Sequence, residues 1–235
     1  MVWAMEKPSS FGDYFPDGDY VGWREGLAEH FNRMPEAERV KYDNRPPEYI
    51  FRISAKFKYE IGVPFGLSAP LTPIEPHEWP TELRTEKSYK TLGSLIQMTN
   101  RFLAVDTPMK ELIERFEPGV HLFHPLRITM PRGRDYPAPY HMLVIGRYLD
   151  AFVPEKSDEG SWEDASSGPF VFYRRTTNSK KCIEGLAISA SATAGAHLWS
   201  DRKLRTPEIF LSDELRDAAM EAGLRLPKHY KVKDA

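Results

Sequence analysis

The stretch DTPMKELIERFEPGVHLFHPLRITM (106–130) decides the fold, because it holds a whole helix, its stop signal and the strand that follows. Asp106 or Thr107 is placed to accept hydrogen bonds from the free amides of a first turn, and Pro108 suits the next position, where its missing N–H costs nothing. Met109, Leu112, Ile113 and Phe116 recur at helical spacing and form one apolar stripe, with Lys110, Glu111, Glu114 and Arg115 on the other side. Pro118 and Gly119 stop the helix. Beyond them, 120–130 is rich in β-branched and aromatic residues and shifts towards a period of two, which predicts a strand.

Working outward, YHMLVIGRYLDAF (140–152) is a second strong strand. The short tract RGRDYPAP separates the two, so an antiparallel hairpin is the economical pairing. Upstream, 94–99 reads as a short strand leading into the helix. YIFRISAKFKYE (49–60) alternates apolar and polar residues and predicts a half-buried strand. Trp23, Leu27, Phe31 and Met34 share one helical face, giving a helix that ends before Pro35. Residues 35–47 form a polar connection with at most one helical turn. Pro8, Gly12, Pro16, Gly18 and Gly22 make 1–22 irregular, and Pro64, Pro70, Pro73, Pro76 and Pro80 make 62–92 a long connection. A division follows: an N-terminal part, 1–92, with one helix and one strand, and a main domain, 93–235.

Downstream, 169–175, 182–190 and 192–199 are strand candidates, and 208–211 reads as a short edge strand. Ser212 caps a final helix whose packing face is Leu215, Ala218, Ala219 and Ala222, and Gly223 closes it. The basic end KHYKVKDA reads as solvated. Several strands interrupted by three convincing helices predict an α+β fold: a mostly antiparallel sheet, a few packing helices and an irregular Pro-rich N-terminal part.

At 235 residues the chain can bury a proper core without metal or disulfide support. Its 32 basic and 34 acidic residues leave a formal charge of −2, which gives no bulk attraction for nucleic acid or anionic membrane. Cys182 is the sole cysteine, so no internal disulfide forms and the cytoplasm is the expected compartment. No stretch approaches the roughly 20 apolar residues that span a bilayer, and MVWAMEKPSS has no apolar run behind a basic segment.

The common chemical signatures are missing. There is neither a Walker loop nor a dinucleotide fingerprint, no G-x-S-x-G elbow and no H-E-x-x-H pair. His121 and His124, three apart on a strand, point to opposite faces, which argues against a shared metal. Nucleic-acid binding would draw on Arg132, Arg134, Arg174 and Arg175 with Tyr136 and Tyr173, and hairpin ends and solvated faces explain them without nucleic acid. No cofactor or metal is expected. In PEKSDEGSWEDASSG (154–168), Asp158, Glu159, Glu163 and Asp164 surround Trp162. A solvated loop is the plain reading; an acidic, aromatic-tipped docking loop is the sharper one.

Two segments, PMKELIERFEPGVHLFHPLRI (108–128) and HLWSDRKLRTPEIFLSDELRDAAMEAGLRL (197–226), together resemble the eleventh class of bacterial immunity proteins. Gly119, His121, Phe123 and Pro125 match that family's strand motif, RYLDAF (147–152) its aspartate-containing strand end, and Phe210, Ser212, Leu215, Ala218, Ala222 and Gly223 its closing strand and helix. Trp199 stands where the family more often has phenylalanine. The resemblance covers 93–226 and implies a non-enzymatic protein from a polymorphic toxin system. Such a protein binds and occludes a cognate toxin in the cytoplasm; oligomeric state stays open. His121 and Phe123 then serve the sheet, and the interface falls on surface that the family pattern does not mark, with Trp162, Asp158, Glu159, Glu163 and Asp164 the partner-binding candidates. The alternative is a small enzyme that reverses a toxin-made modification or acts on a nucleotide.

Overall fold

The computed structural model describes residues 1–58, 73–166, 171–204 and 208–235, and the elements below are those of these residues. In chain order they are β1 (Val2–Met5), β2 (Gly18–Tyr20), α1 (Trp23–Arg33), α2 (Glu36–Arg39), α3 (Pro46–Lys56), β3 (Glu82–Thr85), β4 (Leu95–Gln97) and β5 (Leu103–Asp106). Then come α4 (Thr107–Phe116), β6 (Leu122–Met130), β7 (Arg134–Asp135), β8 (Tyr140–Val144), β9 (Tyr148–Leu149), β10 (Trp162–Asp164) and β11 (Tyr173–Arg175). The last are α5 (Lys180–Glu184), β12 (Ala187–Ile188), β13 (Leu198–Asp201), β14 (Ile209–Ser212), α6 (Asp213–Glu221), β15 (His229–Lys231) and β16 (Lys233–Asp234). The fold is α+β with mostly antiparallel sheets.

One large sheet runs β2-β3-β6-β8-β5-β4, with β7 added beside β6; the other runs β15-β1-β14-β13-β9. The central unit is the helix, turn and hairpin of 106–144. Asp106 caps α4 by accepting the Met109 N–H, and β6 pairs antiparallel with β8 from Leu122 opposite Val144 to Leu126 opposite Tyr140. Gly119, in the left-handed region at φ 71°, turns the chain between them.

The sheets stack in layers. On the outer face of the first, Leu27 and Phe31 of α1 and Tyr49 and Ile53 of α3 pack on Leu83, Ala104, Leu126, Met142 and Val144. Between the sheets, Val105 and Leu143 meet Met109, Leu112 and Ile113 of α4, Leu215 and Ala219 of α6, and Met5, Leu198 and Leu211 of the second sheet. Beyond it, Ala4, Phe152, Ile183, Trp199 and Phe210 form a third cluster. Successive residues such as Met142 and Leu143, or Phe210 and Leu211, thus serve different layers, and each fully buried large side chain contributes about 1.5–3 kcal/mol.

Several expectations are corrected. The segment expected as a strand over 49–60 is helix α3 as far as Lys56, with Pro46 and Pro47 in its first turn; its last two positions, 59 and 60, lie outside the described residues. Tyr49, Ile53 and Phe57 lie at a spacing of four and are at most 4% exposed, whereas Phe51, counted inward by the alternating pattern, is 45% exposed. Packing against α1 selects the helical period over the alternating one. Residues 1–22 contribute β1 and β2; β1 lies between β14 and β15, and β3, from the Pro-rich tract, pairs with β6. The start of that tract, 62–72, and the first two positions, 169 and 170, of the strand expected at 169–175 also lie outside the described residues. The segment 182–190 is the end of α5 and the two-residue β12, because Ser179 caps a helical turn by accepting the Cys182 N–H. β14 is interior, not an edge, and the basic end forms β15 and β16.

Candidate functional site

The most connected polar group in the interior is Glu117, which follows α4 and is 3% exposed. Its Oε1 accepts the His197 N–H at 3.1 Å, and its Oε2 accepts the Leu198 N–H at 2.9 Å and His121 Nε2 at 2.8 Å. Arg147 Nε lies 2.8 Å from Oε1 as an ion pair, without the alignment of a hydrogen bond. The Gly146 N–H donates to His121 Nδ1 at 3.1 Å, which leaves the ring proton on Nε2, facing the carboxylate. His197 Nδ1 in turn meets Ser212 Oγ at 2.9 Å, and that hydroxyl caps α6. Burial pushes the Glu117 carboxyl up, but donation by His121 and the two backbone amides outweighs it and holds the group below its ordinary range. This is a staple: one side chain ties α4 and the start of β6 to β13 and, through Ser212, to α6.

A second buried acid, Asp201, accepts the Ala151 and Phe152 N–H groups at 2.7 Å each and the Lys203 N–H at 2.8 Å. Burial raises it to about 6 against the pull of these amides. Cys182, half-buried, lies beside the Thr176 and Thr177 hydroxyls at 3.2 and 3.0 Å. Burial raises its thiol, and the hydroxyls more than offset this, lowering it to about 7.

The candidate docking residues come together on the β10–β11 hairpin and the loop before it. Trp162 opposes Arg175, Glu163 opposes Arg174 and Asp164 opposes Tyr173. Asp158, Glu159, Glu163 and Asp164 are exposed, while Trp162 is half-buried with its ring edge-on to Tyr173 at 5.1 Å and Phe152 at 6.1 Å. Asp158 pairs with Lys233 and Glu163 with Arg174. Asp164 is held low by the hydroxyl and N–H of Ser166. The loop is seated on Gly185, whose carbonyl accepts the Asp158 N–H at 2.8 Å; a Cβ at Gly185 would come within 2.0 Å of Ser161 Oγ.

The basic groupings are divided. Arg132 lines one cleft at the end of β6, held at φ 66°, and Arg134 donates to Ser88 at 2.8 Å. Arg174 and Arg175 line another cleft. His121 belongs to the staple, and His124 stacks on Trp79 at 4.8 Å. Among the described residues no group of three metal-ligating side chains forms, and no helix is long and apolar enough to cross a membrane.

Sequence reasoning missed the second cleft. It is lined by Lys7, Gln97, Arg101, Arg175, Asn178 and Glu208, among others, and has a volume of about 350 Å³. Glu208, 2% exposed, pairs with Lys7 at 2.8 Å and with Arg175 at 3.1 Å. Burial pulls the Lys7 amine below its ordinary value while Glu208 pulls it back. These residues come from distant segments; the one local signal was Asn100-Arg101 between two apolar runs, the position of a left-handed hairpin turn.

The geometry thus defines a layered α+β protein whose interior titratable groups hold strands together and whose charged hairpin and cleft face solvent. The chain belongs to the Imm11 immunity protein family, whose sequence model matches residues 33–234 and so reaches well upstream of the expected start at 93. No curated protein matches the chain at a significant level.

Proposed function

We propose that this immunity protein acts inside the cell by binding a cognate toxin and covering its active site or substrate path, with no chemistry of its own. The family match over 33–234 carries the reading. The use of Glu117, His121, Asp201 and Glu208 supports it, because each is engaged in holding the frame. The binding face in this reading is the β10–β11 hairpin, with Trp162 as anchor and Asp158, Glu159, Glu163 and Asp164 around it. A basic toxin surface complements it, over a total of roughly 1,200–2,000 Å².

The test is survival of cells expressing the toxin encoded beside this chain, with and without it, paired with a pulldown. Protection with a stable complex is the expected result. Protection without a complex would replace occlusion by reversal of damage. Trp162→Ala combined with neutralisation of the four acids should abolish the complex while leaving the circular dichroism spectrum intact. Unchanged binding and protection would remove the hairpin from the interface.

A further inference from the structure

The turn ahead of β3 is fastened to the helical layer at several points. Lys56 of α3 reaches both carboxylate oxygens of Glu78 at 2.6 and 2.7 Å, and Trp23 of α1 donates its indole N–H to the Glu78 carbonyl at 2.7 Å. Glu78, 3% exposed, also accepts the Glu75 N–H at 2.8 Å and so closes the turn Pro76–Glu78. One further contact is of another kind. The His77 ring lies flat on the His30 ring of α1, with centroids 3.7 Å apart and planes 18° from parallel, and its Nε2 meets the Tyr49 hydroxyl of α3 at 3.0 Å. Burial pushes the Tyr49 phenol up, so it keeps its proton and can donate it to a neutral imidazole. Near-parallel planes aim the ring nitrogens alongside one another and not at a common point, which does not suit a shared metal. α1 ends at Arg33, where the family match begins, so this contact joins a helix upstream of the matched region to a turn within it.

We propose that the His30–His77 stack is a proton-operated clasp, closed while at least one imidazole is neutral and opened when both carry charge, which loosens α1 from the turn and from the sheet beneath it. Histidine is the side chain whose ordinary pKa, about 6.5, lies where modest acidification changes its charge. Two imidazolium rings 3.7 Å apart repel, and the groups around them do not remove the conflict. From the turn, Glu78 draws a proton towards the stack, but Lys56 already holds both its oxygens. From α3 the neutral Tyr49 faces the pair, and Tyr42, with Arg52 over its ring, lies behind Tyr49. Arg33 of α1, paired with Glu29, opposes a further charge, and Glu38 of α2 favours one. Burial, and then His77, outweigh the acids and hold the His30 imidazole below its ordinary value. The unfolded chain therefore takes up a proton there more readily than the folded one. The clasp contributes its full stability above the ordinary value and loses it as pH falls through the lowered one. The inference is independent of how the toxin is met.

The experiment follows the histidine Cε1–H resonances and the amide exchange of the full chain by NMR from about pH 8 to about pH 5, where histidine titrates. It compares the unaltered chain with His30→Phe and His77→Gln. Phenylalanine keeps a flat ring in the stack without a proton site, and glutamine keeps an acceptor for Tyr49 without a charge, so both variants keep the fold. Expected are two linked titrations in the unaltered chain. In each variant the midpoint of the remaining histidine should move up by about 0.7 of a pH unit, the repulsion of unit charges roughly 4 Å apart in water on the pH scale. On acidification, protection factors of the α1 amides should fall about tenfold further in the unaltered chain than in His30→Phe, while those of β8 show no such difference. Midpoints that move in neither variant, or an equal loss of α1 protection in the unaltered chain and His30→Phe, overturn the proposal. A difference of the same size at β8 also overturns it, because the pair would then act on the whole fold and not on α1.

Discussion

Glu117 and Glu163 are the same side chain in opposite circumstances. Glu117 is sealed between the sheets with a histidine, an arginine and two backbone amides around it, whereas Glu163 stands at the surface with one exposed arginine. Around Glu117 the sequence carries the family's motifs, and each polar atom has a structural task. Around Glu163 the charges are screened by water and fix little of the fold. The difference teaches that the residues carrying the family's motifs build the frame, and in the proposed reading recognition falls to residues outside those motifs.

The contrast breaks if Glu117 proves dispensable. Glu117→Ala strands His121 and Arg147 and leaves two buried amides unpaired, so unfolding free energy from urea titration should fall by about 3–5 kcal/mol. Acidity sharpens it next. Asp201 titrates at about 6 when folded against an ordinary 3.8, so the folded chain holds a proton that the unfolded chain has released. Its contribution therefore falls by about 2–3 kcal/mol as pH rises from about 4 to 6. Glu117 has the opposite sign: its lowered value adds stability above the ordinary carboxyl range that is lost as pH falls through the folded value. Urea midpoints measured against pH in the unaltered chain and in Asp201→Asn separate the two, since the fall between pH 4 and 6 should vanish in the variant.

Gly185→Ala tests how firmly the hairpin loop is seated. The new methyl meets Ser161 and should cost about 1–3 kcal/mol, with the largest amide shifts over 158–161. The smallest effect belongs to Glu163→Gln. An exposed ion pair is worth about 0.5 kcal/mol or less, so stability should stay within that of the unaltered chain while toxin binding weakens.

The unit 106–144 was legible because cap, stripe, stop and hairpin agree locally, as in Asp106, Met109, Gly119 and the β6–β8 register. α3 was not, because YIFRISAKFK satisfies periods of two and four alike, and only the α1 surface chooses. β1 was hidden for another reason: four apolar residues buried on both faces show no alternation. The staple had a faint trace in Glu117 and His121, four apart across the helix stop, but its other half is 80 residues away at His197. The cleft had less, since Lys7, Arg101, Arg175 and Glu208 meet only once both sheets are assembled.

β1 has a consequence in time. It sits between β14 and β15, with Val2 opposite Ser212 and Trp3 opposite Lys231, so its neighbours are synthesised more than 200 residues after it. While the ribosome works, the first strand has no partner and the second sheet has no centre. Closing so long a loop is slow relative to forming local pairs such as β6–β8. A chain made as far as β8 therefore holds its β6–β8 pairing, while the second sheet gains its centre only after β14 and β15 are laid down.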